Sequence, residues 1–167
     1  MELFSVPGGD DLHPRYYWDR CLKYPEHMHL ADGEPDVAFL MRNFDKVEAG
    51  RQVLGSVHLP GVQGKLKDVF EWMLASLLGG VPDFLVILDA GYWESVDDRR
   101  REILMFHEMA HCVQAEDQFG TPKFTREGIP VWKLRGHSVE EFTEVVRRYG
   151  AWNDELVEFL EAAKGAV

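Results

Sequence analysis

Apolar residues recur at helical or strand spacing in several stretches of the chain, and these stretches predict its elements. Residues 65–78 carry apolar side chains at helical spacing and end at two glycines, which predicts a helix. Residues 84–88 form a continuous apolar run before Asp89, which predicts a buried strand. Alternating apolar residues over 53–59 predict a shorter strand. Mixed spacing over 36–47 favours a helix.

A further apolar stretch predicts a helix over residues 96–114. Residues 103–106 are apolar nearly all the way round such a helix, and a helix of this kind is buried. Ser95 is followed three positions later by Asp98. This spacing resembles a capping box with Asp in place of Glu, so it predicts where the helix begins.

The two ends of the chain differ in pattern. Residues 1–35 are rich in Pro, Gly, His and aromatic residues and have little periodicity, which predicts an irregular extension whose aromatic side chains pack over the core. Ser138 and Asn153 each predict the N-cap of a C-terminal helix.

With 167 residues the chain is long enough for one domain with a real core and too short for two, so residues 36–167 are predicted to form that domain.

Composition and charge exclude several classes of protein. The net charge of −11 repels phosphate backbones, which disfavours nucleic-acid binding. The two cysteines are too few for a disulfide framework, which favours a cytosolic protein. The N-terminus lacks the pattern of a secretory signal, and no apolar run reaches the roughly 18 residues of a membrane span. We therefore expect a cytoplasmic protein without a membrane partner.

Residues 107–111 read His-Glu-Met-Ala-His, the pattern H-E-x-x-H, within a predicted helix. Residues four apart share one helical face, with Cβ atoms about 5–6 Å apart, so His107 and His111 can bind one zinc ion at about 2.0–2.1 Å. Glu108 flanks the pair and is placed to take a proton from a zinc-bound water. Two histidines and a glutamate on a buried helix must be paired or bind something, which favours a metal site over histidines that only pack in the core.

A catalytic zinc has three protein ligands and an open position for water, so a third ligand is expected. His137 is the leading candidate because it lies just before a predicted helix start. Glu141 is the rival, although its spacing from Ser138 resembles a capping box that gives it a structural role. Another acid, such as Glu127 or Asp117, also stays open.

Several segments resemble the putative phage metallopeptidase family, over most of the chain from about residue 36 onward: Asp83-Phe84-Leu85-Val86-Ile87, His107-Glu108-Met109-Ala110-His111, Gly136-His137-Ser138-Val139-Glu140-Glu141-Phe142 and Arg148-Tyr149-Gly150-Ala151-Trp152. The family's second motif is H-D-v-E-x-F. This chain has Ser138 where Asp is usual. Serine is also a good N-cap residue, but it lacks the carboxylate that could support a metal ligand by a hydrogen bond. The layout is also similar to the SprT-like metalloprotease domain, in which a later His-containing helix supplies the third ligand. That similarity favours His137.

The resemblance implies a zincin-like minimal metalloprotease fold. This is an α+β domain in which a small β-sheet packs on helices and the H-E-x-x-H motif lies on a buried helix. An edge strand of the sheet would hold an extended substrate by β-addition. Residues 84–88 are predicted to form the strand nearest the metal helix.

The resemblance also implies a zinc-dependent metallopeptidase that hydrolyses peptide bonds in protein or peptide substrates, in the host-cell cytoplasm if the protein is phage-encoded. Zinc would be held by His107, His111 and His137, with Glu108 activating the bound water. One alternative is a non-catalytic, metal-stabilised binding or regulatory protein of phage origin. Glu108 argues against it, because a structural zinc favours four protein ligands and needs no glutamate beside them. A DNA-associated SprT-like protease is disfavoured by the acidic charge and the few cysteines.

Overall fold

The computed structural model describes residues 2–9 and 12–166 of the chain. The elements in this part of the chain are, in order, β1 (Phe4–Ser5), α1 (Pro14–Cys21), a 3-10 helix (Pro25–His27), α2 (Met28–Gly33), β2 (Val37–Arg42), β3 (Val47–Glu48), β4 (Arg51–Gln52), β5 (Gly55–His58), α3 (Lys67–Leu78), β6 (Phe84–Asp89), α4 (Ala90–Ser95), α5 (Asp98–His111), β7 (Cys112–Gln114), β8 (Trp132–Leu134), α6 (Thr143–Tyr149) and α7 (Asp154–Gly165). The chain forms two compact units, one up to Arg135 and one from Gly136 onward. The protein is thus an α+β protein with small sheets packed on helices.

The largest sheet in the described residues has four strands in the order β1-β2-β6-β5. β2 and β6 pair in parallel at its centre, and β1 and β5 pair antiparallel with them at the two edges. Phe84, Val86 and Leu88 of β6 are fully buried. The predicted strands over 84–88 and 53–59 are therefore confirmed as β6 and β5.

The predicted helix over residues 36–47 is wrong, because Val37–Arg42 form strand β2. Val37, Phe39 and Met41 are buried in the core, and the residues between them are half-buried. Because the half-buried Ala38 and Leu40 are also apolar, the sequence lacks the clean alternation of apolar and polar residues that marks a strand with one exposed face. The sequence pattern alone was therefore ambiguous here.

A buried ion pair joins the carboxyl ends of β2 and β6. Arg42 Nη2 lies 3.0 Å from Asp89 Oδ2, and both side chains are almost completely buried. Arg42 also donates to the carbonyl oxygens of Phe44 and Val53, and Asp89 Oδ1 accepts from the backbone N–H of Tyr92 at the start of α4. These bonds fix the start of β5 against β6. Removing one partner would leave a buried unpaired charge, which typically costs about 3–5 kcal/mol.

The described part of residues 1–35 differs from the predicted irregular extension, since it contains α1 and α2. Its aromatic residues do pack in the core, as expected. Tyr17 and Trp18 are each 2% exposed. The Tyr17 ring meets Trp93 edge to face at a centroid distance of 5.1 Å, and the Trp18 ring meets Phe39 in the same way at 6.1 Å. The segment is therefore part of the first unit's core.

Helix α3 confirms the helix predicted over residues 65–78, and it ends at Gly79, whose φ of 80° is the left-handed conformation that glycine adopts most easily. Its apolar stripe is mostly exposed. Within α3, Leu74 is the only buried residue, whereas Trp72 is 67% exposed and Leu77 is 58% exposed. Across the described residues, no helix combines the length and the apolar character needed to cross a membrane.

The N-cap of helix α5 lies two residues later than predicted. Asp97 is the N-cap, and its side chain accepts from the backbone N–H of Arg100 at 2.8 Å. Ser95 instead ends α4, where its hydroxyl donates to the Tyr92 carbonyl. The negative charge of aspartate interacts favourably with the positive N-terminal end of the helix dipole, whereas serine carries no charge.

Burial of α5 is one-sided, which corrects the prediction of a helix buried all round. Its fully or nearly buried apolar residues are Leu104, Met105 and Met109. Ile103 on the other side is 57% exposed. The helix therefore packs one face on the core and presents the other outward, so a side chain on it can reach solvent.

In the second unit, the predicted N-cap at Asn153 is confirmed, because its side chain accepts from the backbone N–H of Leu156 and α7 follows. The predicted helix start at Ser138 is wrong. Helix α6 begins only at Thr143, and its N-cap residue Phe142 makes no side-chain cap bond. The capping box between Ser138 and residue 141 is therefore not formed.

His27 is a buried histidine packed against α5. Among the described residues, neither of its ring nitrogens has a hydrogen-bond partner. Its ring lies on Phe106 with centroids 4.4 Å apart. Burial, followed by the nearby charge of His29, lowers the pKa of His27 from 6.5 to about 4, although Glu26 opposes this shift. His27 is therefore neutral in the folded protein near neutral pH.

The contribution of His27 to the free energy of unfolding should fall as pH is lowered from 6.5 to about 4, the range between the ordinary and the folded pKa of His27. In that range the unfolded chain binds the proton and the folded chain does not, so His27 contributes a loss of about 1.4 kcal/mol per pH unit. His27→Phe should reduce this slope. Urea unfolding of both proteins across the range measures it, and parallel pH curves would contradict the assignment.

Candidate metal centre

His107, Glu108 and His111 lie in the last turns of α5. The imidazole rings of His107 and His111 meet edge to face at a centroid distance of 5.1 Å. His107 is exposed and His111 is half-buried, whereas Glu108 is only 3% exposed. The helix thus presents two imidazoles toward solvent, with a buried carboxyl group beside them.

The His111 ring is oriented by a hydrogen bond to the backbone. His111 Nδ1 lies 2.8 Å from the carbonyl oxygen of Arg135, and the Arg135 backbone N–H donates to the carbonyl of His111 at 2.9 Å. A carbonyl oxygen can only accept, so Nδ1 is the donor in this hydrogen bond and Nε2 is the nitrogen that could bind a metal. Metal-binding histidines typically have this arrangement, in which the second nitrogen donates to a carbonyl or carboxylate.

His137 follows Arg135 by two residues, so its Cα lies within about 7 Å of the Arg135 Cα by chain length alone. His107, His111 and His137 each offer one ring nitrogen, and the three nitrogens lie within 4.8 Å of one another. Small changes in side-chain torsion would bring three atoms at such separations onto one ion. This histidine cluster could therefore hold a metal ion.

The rival candidates for a third ligand are not members of this cluster. The Glu141 carboxylate accepts from the backbone N–H of Phe142 at 2.8 Å and from the indole N–H of Trp152 at 3.0 Å. The Asp117 carboxylate accepts from two backbone N–H groups of its own loop, which lower its pKa. Glu127 is exposed. Two of the three acids thus have other hydrogen-bonding roles.

Glu108 has an environment that fits a proton acceptor. Burial raises the pKa of its carboxyl group to about 7. The carboxyl group lies directly over Gly55 of β5, where an added Cβ would overlap Oε1 and come within 2.8 Å of Cδ. No sequence motif marks Gly55 as part of a site, although an isolated glycine within a strand pattern often marks a close approach by another group.

The strand against the metal helix is β5, which corrects the prediction that residues 84–88 would take this place. Residues 84–88 belong to β6, which is covered by β2 on one side and β5 on the other. β5 contacts α5 through Gly55 and Glu108. It is also an edge strand of the sheet in the described residues.

Cys112 packs in the core. It is fully buried, and its thiol donates to the carbonyl of Glu108 at 3.7 Å. Burial, followed by the charge of Glu108, raises the pKa of the Cys112 thiol to about 12. His29 Nε2 lies 2.8 Å from the Cys112 carbonyl oxygen, and this hydrogen bond links α2 to β7. Neither residue belongs to the histidine cluster.

Comparison with known proteins identifies the family. A family model described as putative phage metallopeptidase matches residues 17–164, which include α5 and all three histidines of the cluster. No curated protein and no solved structure matches the chain at a significant level. The family match covers most of the chain and agrees with a histidine cluster able to hold a metal. The chain therefore belongs to the putative phage metallopeptidase family.

Proposed function

We propose that this protein is a zinc-dependent peptidase in which His107, His111 and His137 bind the metal and Glu108 is the general base. The observation that carries the proposal is the convergence of three histidine nitrogens within 4.8 Å of one another, next to a buried carboxyl group. Membership of a family named for metallopeptidase activity supports it. Protein or peptide chains are then the substrates.

The donor set agrees with zinc. Imidazole nitrogen is a preferred zinc ligand, and catalytic zinc sites typically use three protein ligands and keep one position open. The cluster found among the described residues has three members, all histidines. The hydrogen bond from His111 Nδ1 to Arg135 holds that ring in the tautomer a metal requires. A structural zinc would instead favour a fourth protein ligand.

The bound zinc would supply a Lewis acid that acidifies a water molecule and polarises the scissile carbonyl group. Glu108 would accept a proton from the attacking water and pass it to the leaving amine nitrogen. Its burial leaves the carboxyl group poorly solvated, so it can accept a proton near neutral pH. The exposed side of α5 gives a peptide access to the histidines.

We also propose that the substrate binds along β5. This strand ends the sheet in the described residues, and it lies next to α5 through the contact between Gly55 and Glu108. An extended peptide can add to such an edge through main-chain hydrogen bonds, which orient it without regard to most side chains. The peptide bond would then lie beside the Glu108 carboxyl group.

The buried thiols suggest where the protein acts. Cys21 and Cys112 are free and buried. Free thiols persist in a reducing compartment, so we place the activity in the cytoplasm of the host cell.

The direct test is hydrolysis of an unfolded protein, followed by mass spectrometry of the products. Purified protein should contain about one zinc per chain and should cleave the substrate. A chelator should stop cleavage, and added zinc should restore it. Zinc binding without any cleavage across a diverse peptide library would favour a non-catalytic metal protein, and the absence of metal after reconstitution would exclude both.

The choice of third ligand can be tested by comparing two variants. His137→Ala should lower zinc affinity by about 100-fold or more, because one of three ligands is lost. Glu141→Gln should retain zinc and cost only about 1 kcal/mol of stability, because it weakens the bonds to Phe142 and Trp152. Competition with a chromophoric chelator measures both affinities. The opposite ranking would assign the ligand role to Glu141.

A further inference from the structure

We propose that Gly55 is a positioning residue, whose missing side chain provides the space in which the Glu108 carboxyl group lies. An added Cβ at position 55 would overlap Glu108 Oε1, lie 2.8 Å from Cδ and lie 3.1 Å from Cγ. The whole end of the Glu108 side chain therefore rests over this one α-carbon. In its catalytic part the proposal rests on the peptidase function proposed above.

The conformation of Gly55 does not require glycine. Its φ lies outside the left-handed region, and its neighbours pair with β6 in regular antiparallel register. Alanine would have the same backbone conformation available at this position. The reason for glycine is therefore the space taken by Glu108 and not the backbone torsion.

The backbone at Gly55 cannot move away to make room for a side chain. The carbonyl of Leu54 accepts from the backbone N–H of Asp89 at 2.8 Å, and the carbonyl of Val53 accepts from the guanidinium of Arg42. Arg42 and Asp89 form the buried ion pair that joins β2 to β6. The strand start is thus tied to the sheet centre, and a methyl group at position 55 would have to displace the carboxyl group instead.

Displacement of the carboxyl group would affect catalysis more than folding. The end of a glutamate side chain can change its torsions, and the three atoms nearest to an added Cβ at position 55 all belong to Glu108. Gly55→Ala should therefore retain zinc and move only the general base. A displacement of about 1 Å at a catalytic group can cost about 100-fold in rate.

The test combines kinetics with a mutant cycle. Gly55→Ala should lower kcat by about 10-fold to 100-fold with KM changed less than about threefold and zinc retained. Gly61→Ala is the matched control, because a Cβ there meets no atom within 4 Å and its φ is ordinary. It should leave kcat unchanged. Equal kcat values for wild type and Gly55→Ala would overturn the proposal.

Melting temperatures give a readout that does not depend on activity. In the wild-type background, Gly55→Ala should lower the melting temperature. In the Glu108→Ala background the space over position 55 is free, so Gly55→Ala should leave the melting temperature unchanged or raise it by up to about 3 °C. Additive effects would overturn the proposal. If Gly55→Ala fails to fold, folding of the double variant supports the proposal and its failure overturns it. If the wild type hydrolyses nothing, the peptidase function fails, and the mutant cycle alone decides the role of Gly55.

Discussion

Glu108→Gln should abolish peptide hydrolysis while leaving zinc and the fold in place. Glutamine has nearly the same shape but cannot accept a proton from the attacking water, and a general base typically contributes about 100-fold to 10,000-fold to the rate. The buried carboxyl group has its pKa raised to about 7 by burial, so a neutral amide adds no new buried charge. Steady-state kinetics, zinc content and the melting temperature measure the three properties separately.

A matched control is Glu94→Gln, which makes the same chemical change at an exposed position on α4. It should keep full activity. A Glu108→Gln protein with a kcat within tenfold of the wild type would show that another group removes the proton. Loss of zinc in that variant would instead indicate that Glu108 contributes to metal binding.

His107→Ala and His111→Ala should each lose most of the bound zinc and a large part of the stability. A ligand that binds only the folded state at a concentration 100 times its dissociation constant stabilises that state by about 2.7 kcal/mol. For a chain of this size, such a loss corresponds to a fall in melting temperature of about 5–10 °C. Elemental analysis and thermal unfolding measure both effects.

Two controls separate metal loss from local damage to α5. Chelator should lower the melting temperature of the wild type to near that of the variants, and it should have little effect on the variants themselves. His58→Gln removes an exposed histidine outside the cluster, so it should keep zinc. A His111→Ala protein with full zinc content would contradict the assignment of that residue.

The local patterns of the sequence were sufficient for several elements. The continuous apolar run of β6 and the N-cap at Asn153 are readable from nearby residues, because a short buried strand and a side-chain cap depend on local chemistry. The spacing of His107 and His111 likewise places both on one face of any helix that contains them. The family resemblance was also visible in short segments, among them residues 83–87 and 107–111, and agrees with the family match.

Other features depend on groups that are distant in the sequence. Residues 37–42 form a strand because they pair in parallel with β6 and bury Val37, Phe39 and Met41 in the core, and this overrides an ambiguous pattern. Ser138 does not begin a helix, and the stripe of α3 is mostly exposed, although both had suitable local patterns. Local propensity is a weak prior wherever packing partners decide the outcome.

The candidate site likewise depends partly on local sequence and partly on residues that are distant in the sequence. The sequence by itself determined the residue types and the helical register that bring His107, Glu108 and His111 to one end of α5. Only the tertiary structure decided that the Glu108 carboxyl group rests over Gly55, because the buried pair of Arg42 and Asp89 holds that strand in place. No periodicity in the sequence predicts such a contact. The contact depends on the path of the backbone between the two elements and not on the residues that neighbour Gly55 or Glu108 in the sequence.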